Sequence, residues 1–296
     1  MKEKDFGKFK GILIIGLGLI GGSLASSLKD EGFKGKIYAF DLREDRVKFA
    51  EENHIIDKGF TDFESIPWQD IDLVIIASPV KTFLKVAESI KPYIKDGTII
   101  TDVGSVKGEL VEQLKDLFKP FRFVGGHPIA GTEKEGVENA VIGLFKNKRF
   151  IITDDERDEA VEKLKKFWED LGSEVEFMNP HDHDFIFSAV SHLPHAVAYA
   201  LVHSLIGLSN HSNIDLFKYP GAGFKDFTRI AASSPEIWTD IFLENKGNLI
   251  KAIEEYQKAL EILKQLIKNE DTEGLRKYIA ESRDKRISLN EWNCMS

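Results

Sequence analysis

The 296-residue chain predicts an α/β domain with a doubly wound, mostly parallel sheet, followed by an all-helical domain. Through the first half, short apolar runs alternate with amphipathic stretches of helical spacing, as expected when helices cover both faces of a sheet. Strand signals stop after about residue 179, and long helical patterns replace them. A glycine-rich turn directly follows the first apolar run.

Strands are expected at 11–15, 36–40, 73–77, 98–103, 121–125, 149–153 and 174–177, with helices at 43–53, 81–93, 106–118 and 156–171 between them. The pair Asn179-Pro180 marks the change of architecture: proline disfavours helix in its predecessor and suits the first turn of a new one. The domains are therefore expected at 1–178 and 179–296, the second built on helices at 184–208, 235–268 and 272–289. Helices of that length have apolar faces to bury, and a second copy of the same half is the simplest cover. A homodimer through the helical domain is expected, with a compact monomeric bundle as the alternative.

Composition narrows the function. A formal charge of −9 and a pI near 5.5 argue against nucleic acid as the main partner, since a phosphate backbone requires a concentrated basic surface. No apolar run is read as long enough to cross a bilayer, and the first ten residues, MKEKDFGKFK, lack the core of a secretory signal. Cys294 is the only cysteine, so no disulfide framework forms within one chain; a cytoplasmic location is expected.

The run GILIIGLGLIGGS at 11–23 places Gly16, Gly18 and Gly21 in GxGxxG spacing between a strand and a helix expected to begin near Ser23. Gly16 permits the tight turn, Gly18 lets backbone approach a pyrophosphate, and Gly21 allows helix to pack on strand; Leu19 and Ile20 complete the turn. The following strand, KIYAFD, ends in Asp41, placed to accept ribose hydroxyls and to repel a 2′-phosphate. NAD is thus the expected cofactor, although Arg43 close by weakens the preference over NADP. Ser78-Pro79 and the stretch from Asp102 through Gly104 to Ser105 lie where later strands end, and are expected to shape the nicotinamide pocket.

Oxidation of a carbinol by hydride loss is helped by a base that takes the hydroxyl proton, and histidine suits that work near neutral pH. His127, in GGHPIAGTE at a strand end, is the best-placed base, with Ser105 on a neighbouring strand end as its hydrogen-bond partner. Further on, Ser191, His192 and His195 have the spacing to share one helical face and line a pocket. The same pair of histidines could hold a metal, but without a cysteine or a matching third ligand no metal site is expected. His181 and His183 read as a helix cap or a solvated polar face. Arg229, among small and aromatic residues, is the candidate for a bidentate grip on a substrate carboxylate, with a surface salt bridge as the alternative.

Five ordered motifs now resemble one family, the prephenate and arogenate dehydrogenases: GLGLIGGSLA, TDVGSVK at 101–107, GGHPIAGTEKEG at 125–136, SHLPH at 191–195 and GFKDFTRIA at 223–231. The resemblance spans nearly the whole chain. It implies NAD-dependent oxidative decarboxylation of prephenate to 4-hydroxyphenylpyruvate, a late step of tyrosine synthesis. It also implies His127 as the histidine that hydrogen-bonds the ring hydroxyl, Ser105 as its partner, and Arg229 as the ligand of a substrate carboxylate. Glu133, His192 and His195 fall in motifs that line the pocket.

The segment SSPEIW before and including Trp238 departs from the family, which often has an acidic residue before the proline; this puts a helix-start contact in question. No additional mutase helix or regulatory domain is read in the chain, so tyrosine feedback would act at the active site or dimer interface. Arogenate as substrate, another hydroxy-acid dehydrogenase, and a non-catalytic dinucleotide sensor are the competing readings.

Overall fold

The computed structural model describes residues 4–212 and 214–292; Cys294 lies outside the described residues. The first half runs β1 (Gly11–Ile15), α1 (Leu19–Asp30), β2 (Lys36–Phe40), α2 (Glu44–Glu52), β3 (Lys58–Phe60), β4 (Leu73–Ile76), α3 (Phe83–Ile90) and β5 (Ile99–Asp102). It continues with α4 (Gly108–Phe118), β6 (Arg122–Pro128), β7 (Arg149–Thr153), α5 (Glu159–Asp170) and β8 (Glu174–Phe177).

These strands form one sheet in the order β3-β2-β1-β4-β5-β6-β7-β8, parallel throughout except between β6 and β7. The central strands β1, β4 and β5 are buried along their whole length, which explains why GILII and LVII are unbroken apolar runs. Helices bury stripes at i, i+3, i+4 and i+7, such as Phe83, Ala87 and Ile90 of α3 and Val161, Leu164, Phe167 and Trp168 of α5. The result is one apolar layer on each face of the sheet, centred on Leu24 and Phe150 on one side and Phe83 and Phe123 on the other.

Two local expectations are corrected here. The pattern passes over β3, whose three residues contain a glycine and bury only Phe60. Helix α1 begins at Leu19 rather than near Ser23, because Gly18 already serves as its N-cap and Gly21 lies in the first turn.

Beyond β8 the described structure is helical: α6 (Pro180–Phe187), a π turn over Ser188–His192, α7 (Leu193–Ser212), α8 (Ala222–Thr228), α9 (Pro235–Glu244), α10 (Lys246–Lys268) and α11 (Thr272–Trp292). The Asn179 side chain accepts the His181 N–H at 2.9 Å and Pro180 occupies the first turn, so the Asn-Pro pair starts a helix as its chemistry dictates. A single helix over 235–268 is not formed: Asn245 leaves helical geometry and separates α9 from α10.

The run Pro180–Ser212 is also long and apolar enough, by length and composition, to cross a membrane, and only 17% of its most apolar window is buried. His192, His195, His203 and His211 interrupt its apolar pattern, which is how a bilayer-length stretch goes unread in the sequence.

By packing, the chain divides into two compact units, Met1–Lys246 and Gly247–Ser296. The first holds the sheet together with α6 to α9, so this division falls later than the change of architecture at 178/179. The second is a helical pair in which the Tyr278 hydroxyl donates to the Ala259 carbonyl at 3.2 Å. It leaves Leu260, Ile262, Ile267 and Ile279 exposed.

Candidate active site

The carboxyl ends of β1, β4, β5 and β6 point the same way, and the strand order reverses beside β1. That edge is where an open α/β sheet receives a ligand. Gly16 takes φ +109°, and a Cβ there would lie 2.7 Å from the Ala77 carbonyl oxygen; a Cβ on Gly21 would lie 2.0 Å from the Gly16 carbonyl oxygen. Both positions therefore exclude a side chain. At Gly18, by contrast, a Cβ would meet nothing within 4 Å, and no side chain caps α1. An open approach to an uncapped helix N-terminus fits a dinucleotide's pyrophosphate. Leu19 is buried and Ile20 half-buried.

Asp41, at the end of β2, braces this turn from below. One carboxylate oxygen accepts the Leu17 N–H at 2.7 Å and the other the Arg43 N–H at 2.9 Å. Each oxygen retains a lone pair for a ribose hydroxyl. Arg43 turns away to pair with Asp45, and Ser78 shares a hydrogen bond with Thr82 at 2.8 Å beside exposed Pro79.

Asp102 does not face the ligand edge as the pattern predicts. It is fully buried, pairs with the Lys107 ammonium, and accepts the N–H of Gly104 at 2.8 Å and of Gly126 at 3.1 Å. It thus ties the end of β5 to β6, one residue before His127.

His127 is 9% exposed, and its hydrogen-bond partner is His183. Its Nδ1 lies 2.8 Å from Nε2 of His183, and Nδ1 of His183 lies 2.8 Å from Oδ1 of Asp184. The same oxygen accepts the Lys107 N–H at 2.8 Å. Phe187 packs edge-on against the His127 ring. Ser105 is half-buried, and among the described residues no hydrogen bond joins it to His127.

Burial lowers His127 well below the ordinary histidine value, with help from nearby His183, Lys107 and His192. Burial takes His183 down to about 2 and pushes Asp184 up to about 6. At neutral pH both rings are uncharged and Asp184 is a carboxylate.

His192 is buried, its Nδ1 3.2 Å from the Asn245 amide, which also donates to the Asp184 carbonyl at 2.8 Å. His195 is half-buried and stacks on Trp238 at 3.5 Å between ring centroids, its Nδ1 donating to the Ser191 carbonyl at 3.0 Å. The π turn over Ser188–His192 interrupts regular α-helical geometry, yet His192 and His195 still meet at Trp238, with ring centroids 6.1 and 3.5 Å away. Arg229 has a 64% exposed side chain and reaches Glu133 at 3.4 Å, rather than Asp226 or Glu236. Ser234 caps α9, supplying the helix-start contact that SSPEIW put in question.

Lys107, Asp184 and Asn245 are not singled out by the sequence, and His183, expected at a helix cap or solvated face, is instead fully buried in the network. A signal for two of them is present. Pro180, His183, Asp184 and Phe187 follow the i, i+3, i+4, i+7 stripe that is the buried face of α6. His181, off that stripe, is exposed and pairs with Glu112.

A doubly wound sheet with a glycine turn after β1 and a buried, neutral histidine at the same edge defines a nucleotide-binding oxidoreductase. Residues 24–177 match the family model of the prephenate dehydrogenase nucleotide-binding domain, and residues 179–281 that of the prephenate dehydrogenase dimerization domain. The chain belongs to the prephenate dehydrogenase family.

It is 35% identical to the prephenate dehydrogenase of Bacillus subtilis over 94% of this chain and 76% of that one. Its fold is similar to the crystal structure of prephenate dehydrogenase from A. aeolicus in complex with hydroxyphenyl propionate and NAD+. That likeness has a TM-score of 0.90 and 48% identity, covering 95% of this chain and 98% of that one. Synechocystis arogenate dehydrogenase is similar at a TM-score of 0.79 and 29% identity, over 94% and 99%.

Proposed function

We propose that this chain catalyses the NAD-dependent oxidative decarboxylation of prephenate to 4-hydroxyphenylpyruvate, in the cytoplasm and as a homodimer. The observation that carries the reading is His127, a buried neutral ring at the carboxyl edge that also bears the glycine turn. Bound NAD supplies the hydride acceptor. Gly16, Gly18, Leu19, Ile20 and Gly21 hold its pyrophosphate, Asp41 its ribose, and Ser78, Pro79 and Gly104 border the nicotinamide.

Nε2 of His127 accepts the proton of the ring hydroxyl as hydride leaves the same carbon, and returns it when carbon dioxide departs and the ring becomes aromatic. Arg229 binds a substrate carboxylate, for which Glu133 stands in here; Ser105, Ser191, His192 and His195 belong to the surrounding pocket wall or its support. The division into a nucleotide-binding part at 1–178 and a substrate-binding, dimer-forming part at 179–296 belongs to the same proposal. Exposed Val190, Ile206 and Leu208 along α7 and its π turn, and Ile262 and Ile267 in α10, suit a second copy as cover.

The test is NADH formation by purified protein given NAD with prephenate or with arogenate, beside a His127→Asn variant. Prephenate turnover that falls by about 10²–10⁴ in the variant is expected. Turnover of arogenate alone would reassign the substrate, and none with either would overturn the reading.

A further inference from the structure

A general base at Nε2 of His127 needs that nitrogen bare, and a neutral imidazole carries its single proton on either nitrogen. Nothing in His127 itself decides which. The hydrogen-bond chain behind it does. Asp184 as a carboxylate can only accept, and its Oδ1 already receives the Lys107 N–H. Nδ1 of His183, 2.8 Å from that oxygen, must therefore be the donor. Nε2 of His183 is then a bare acceptor, and the His127 Nδ1 that faces it at 2.8 Å must carry the proton. The lone pair of His127 is left on Nε2.

We infer that His183 and Asp184 are positioning residues which hold His127 in the tautomer with a free Nε2 and stabilise it when that nitrogen takes a proton. The inference rests on the dehydrogenase reading above, because it assigns work to the base of that reaction.

The arrangement is built for one orientation. Asp184 is fixed by the Lys107 N–H at the start of α4 and packs so closely there that a Cβ on Gly108 would lie 2.6 Å from its Oδ2. Its carbonyl is held by the Asn245 amide. Phe187 lies against both imidazole rings, with centroids 5.2 Å from His127 and 4.5 Å from His183.

The chain also answers a difficulty of burial. Desolvation makes His127 a weak base, and the Lys107 ammonium and His192, and His183 were it charged, would each disfavour its cation. His183 is neutral, however, and as an acceptor from Nδ1 it acts in the opposite sense. When Nε2 accepts the hydroxyl proton, the Nδ1–H bond to His183 becomes charge-assisted and strengthens, and His183 in turn leans on the Asp184 carboxylate. No net proton leaves the chain. The proton taken at Nε2 is the one given back to the phenolic oxygen after decarboxylation.

The groups facing His127 are His183 and Asp184 from α6, Lys107 with Asp102 from the β5–α4 junction, and His192 from the π turn. Of these, Asp184 accepts directly from Nδ1 of His183 and is raised to about 6 by burial, so its protonation breaks the accepting end of the chain. The acid limb of kcat is accordingly assigned to the far end of the chain.

The test combines histidine ¹⁵N NMR on the full-length protein with steady-state kinetics. In the unmodified enzyme the His127 signal, assigned by its loss in His127→Asn, is expected to show a protonated Nδ1 and a bare Nε2. His183→Asn removes the nitrogen facing His127, and should mix the tautomers and lower kcat on the order of 10²-fold, with the KM for prephenate changed by less than about threefold. His183→Gln restores an acceptor at that position and should recover part of the loss. Asp184→Asn keeps the acceptor oxygen but removes the charge, and should abolish the acid limb near pH 6 while leaving the tautomer in place.

A His127 signal protonated at Nε2 in the unmodified enzyme would overturn the inference, as would a folded His183→Asn variant with unchanged spectrum and kcat. If His183→Asn does not fold, the unmodified spectrum and His183→Gln still decide. Absence of prephenate turnover in the unmodified enzyme would sink the functional reading alone, since the NMR result is independent of substrate.

Discussion

The glycine turn after β1 and the histidine chain behind β6 sit on the same sheet edge but are made in opposite ways. The turn is built from backbone, within a dozen consecutive residues, and depends on side chains being absent at Gly16 and Gly21. The histidine chain is built from side chains that arrive from β5, β6, the start of α4, α6 and the α9–α10 break. A local backbone site tolerates burial readily because part of its polar groups pair within the fold, as the Gly16 and Leu17 N–H groups do, and the rest stay open to a ligand. A dispersed side-chain site places ionisable groups in a low-dielectric interior and is stable only while every partner is present.

Breaking one link should therefore cost more behind β6 than at the turn. The largest effect is expected for Lys107→Met, which leaves the fully buried Asp102 without its counter-charge. Loss of one partner of such a pair destabilises by roughly 3–5 kcal/mol. Urea denaturation should show that loss, and the double variant Lys107→Met/Asp102→Asn should recover much of it, because the amide oxygen can still accept one of the Gly104 and Gly126 N–H bonds. A single variant as stable as the unmodified chain would remove the distinction between the two regions.

Acid provides the second comparison. His127, His183 and His192 are held neutral by burial, so in the window below 6.5 the unfolded chain binds protons that the folded one refuses. Stability that these groups contribute is present above the unfolded value and is lost as pH falls. Asp184 works the other way: raised to about 6, it binds a proton in the folded state first and favours folding as pH drops toward its unfolded value. With His195 also lowered by burial, the histidines outweigh the one carboxylate and leave a net loss of stability as pH falls from about 6 to 5. Thermal melts across that range should fall steeply; a His183→Gln variant should fall less steeply by one histidine's share, and an equal slope would show that burial does not keep His183 neutral.

The same contrast explains what could be read from the sequence. Strands β1, β2, β7 and β8 fall at their expected residues because a buried strand announces itself by local composition, and the glycine turn does so by spacing. Strand β3 does not, being three residues with one buried side chain. At the site, His127 stands out through its strand-end position, but its partner does not. The sequence neighbours of His183 are charged and polar, which suggests a solvated face. Only the start of α6 at Pro180 sets the phase that turns His183 and Asp184 inward. Asn245 gives no local signal at all, since its role depends on helices separated by some sixty residues coming together.

The smallest expected effects lie within the turn itself, and they separate its structural glycines from its functional one. At Gly21 an added methyl would press on the Gly16 carbonyl oxygen at 2.0 Å, so Gly21→Ala requires backbone movement and should cost about 1–3 kcal/mol. At Gly18 the backbone is extended, with φ −81°, and the methyl would enter open space, so Gly18→Ala should change stability by less than about 1 kcal/mol. That open space is where the cofactor reading puts the pyrophosphate, and the methyl should raise the KM for NAD on the order of tenfold while leaving kcat at saturating NAD nearly unchanged. A Gly18→Ala enzyme with an unaltered KM for NAD would mean that the dinucleotide approaches α1 elsewhere, and the turn would then be a packing device like Gly21 rather than a cradle.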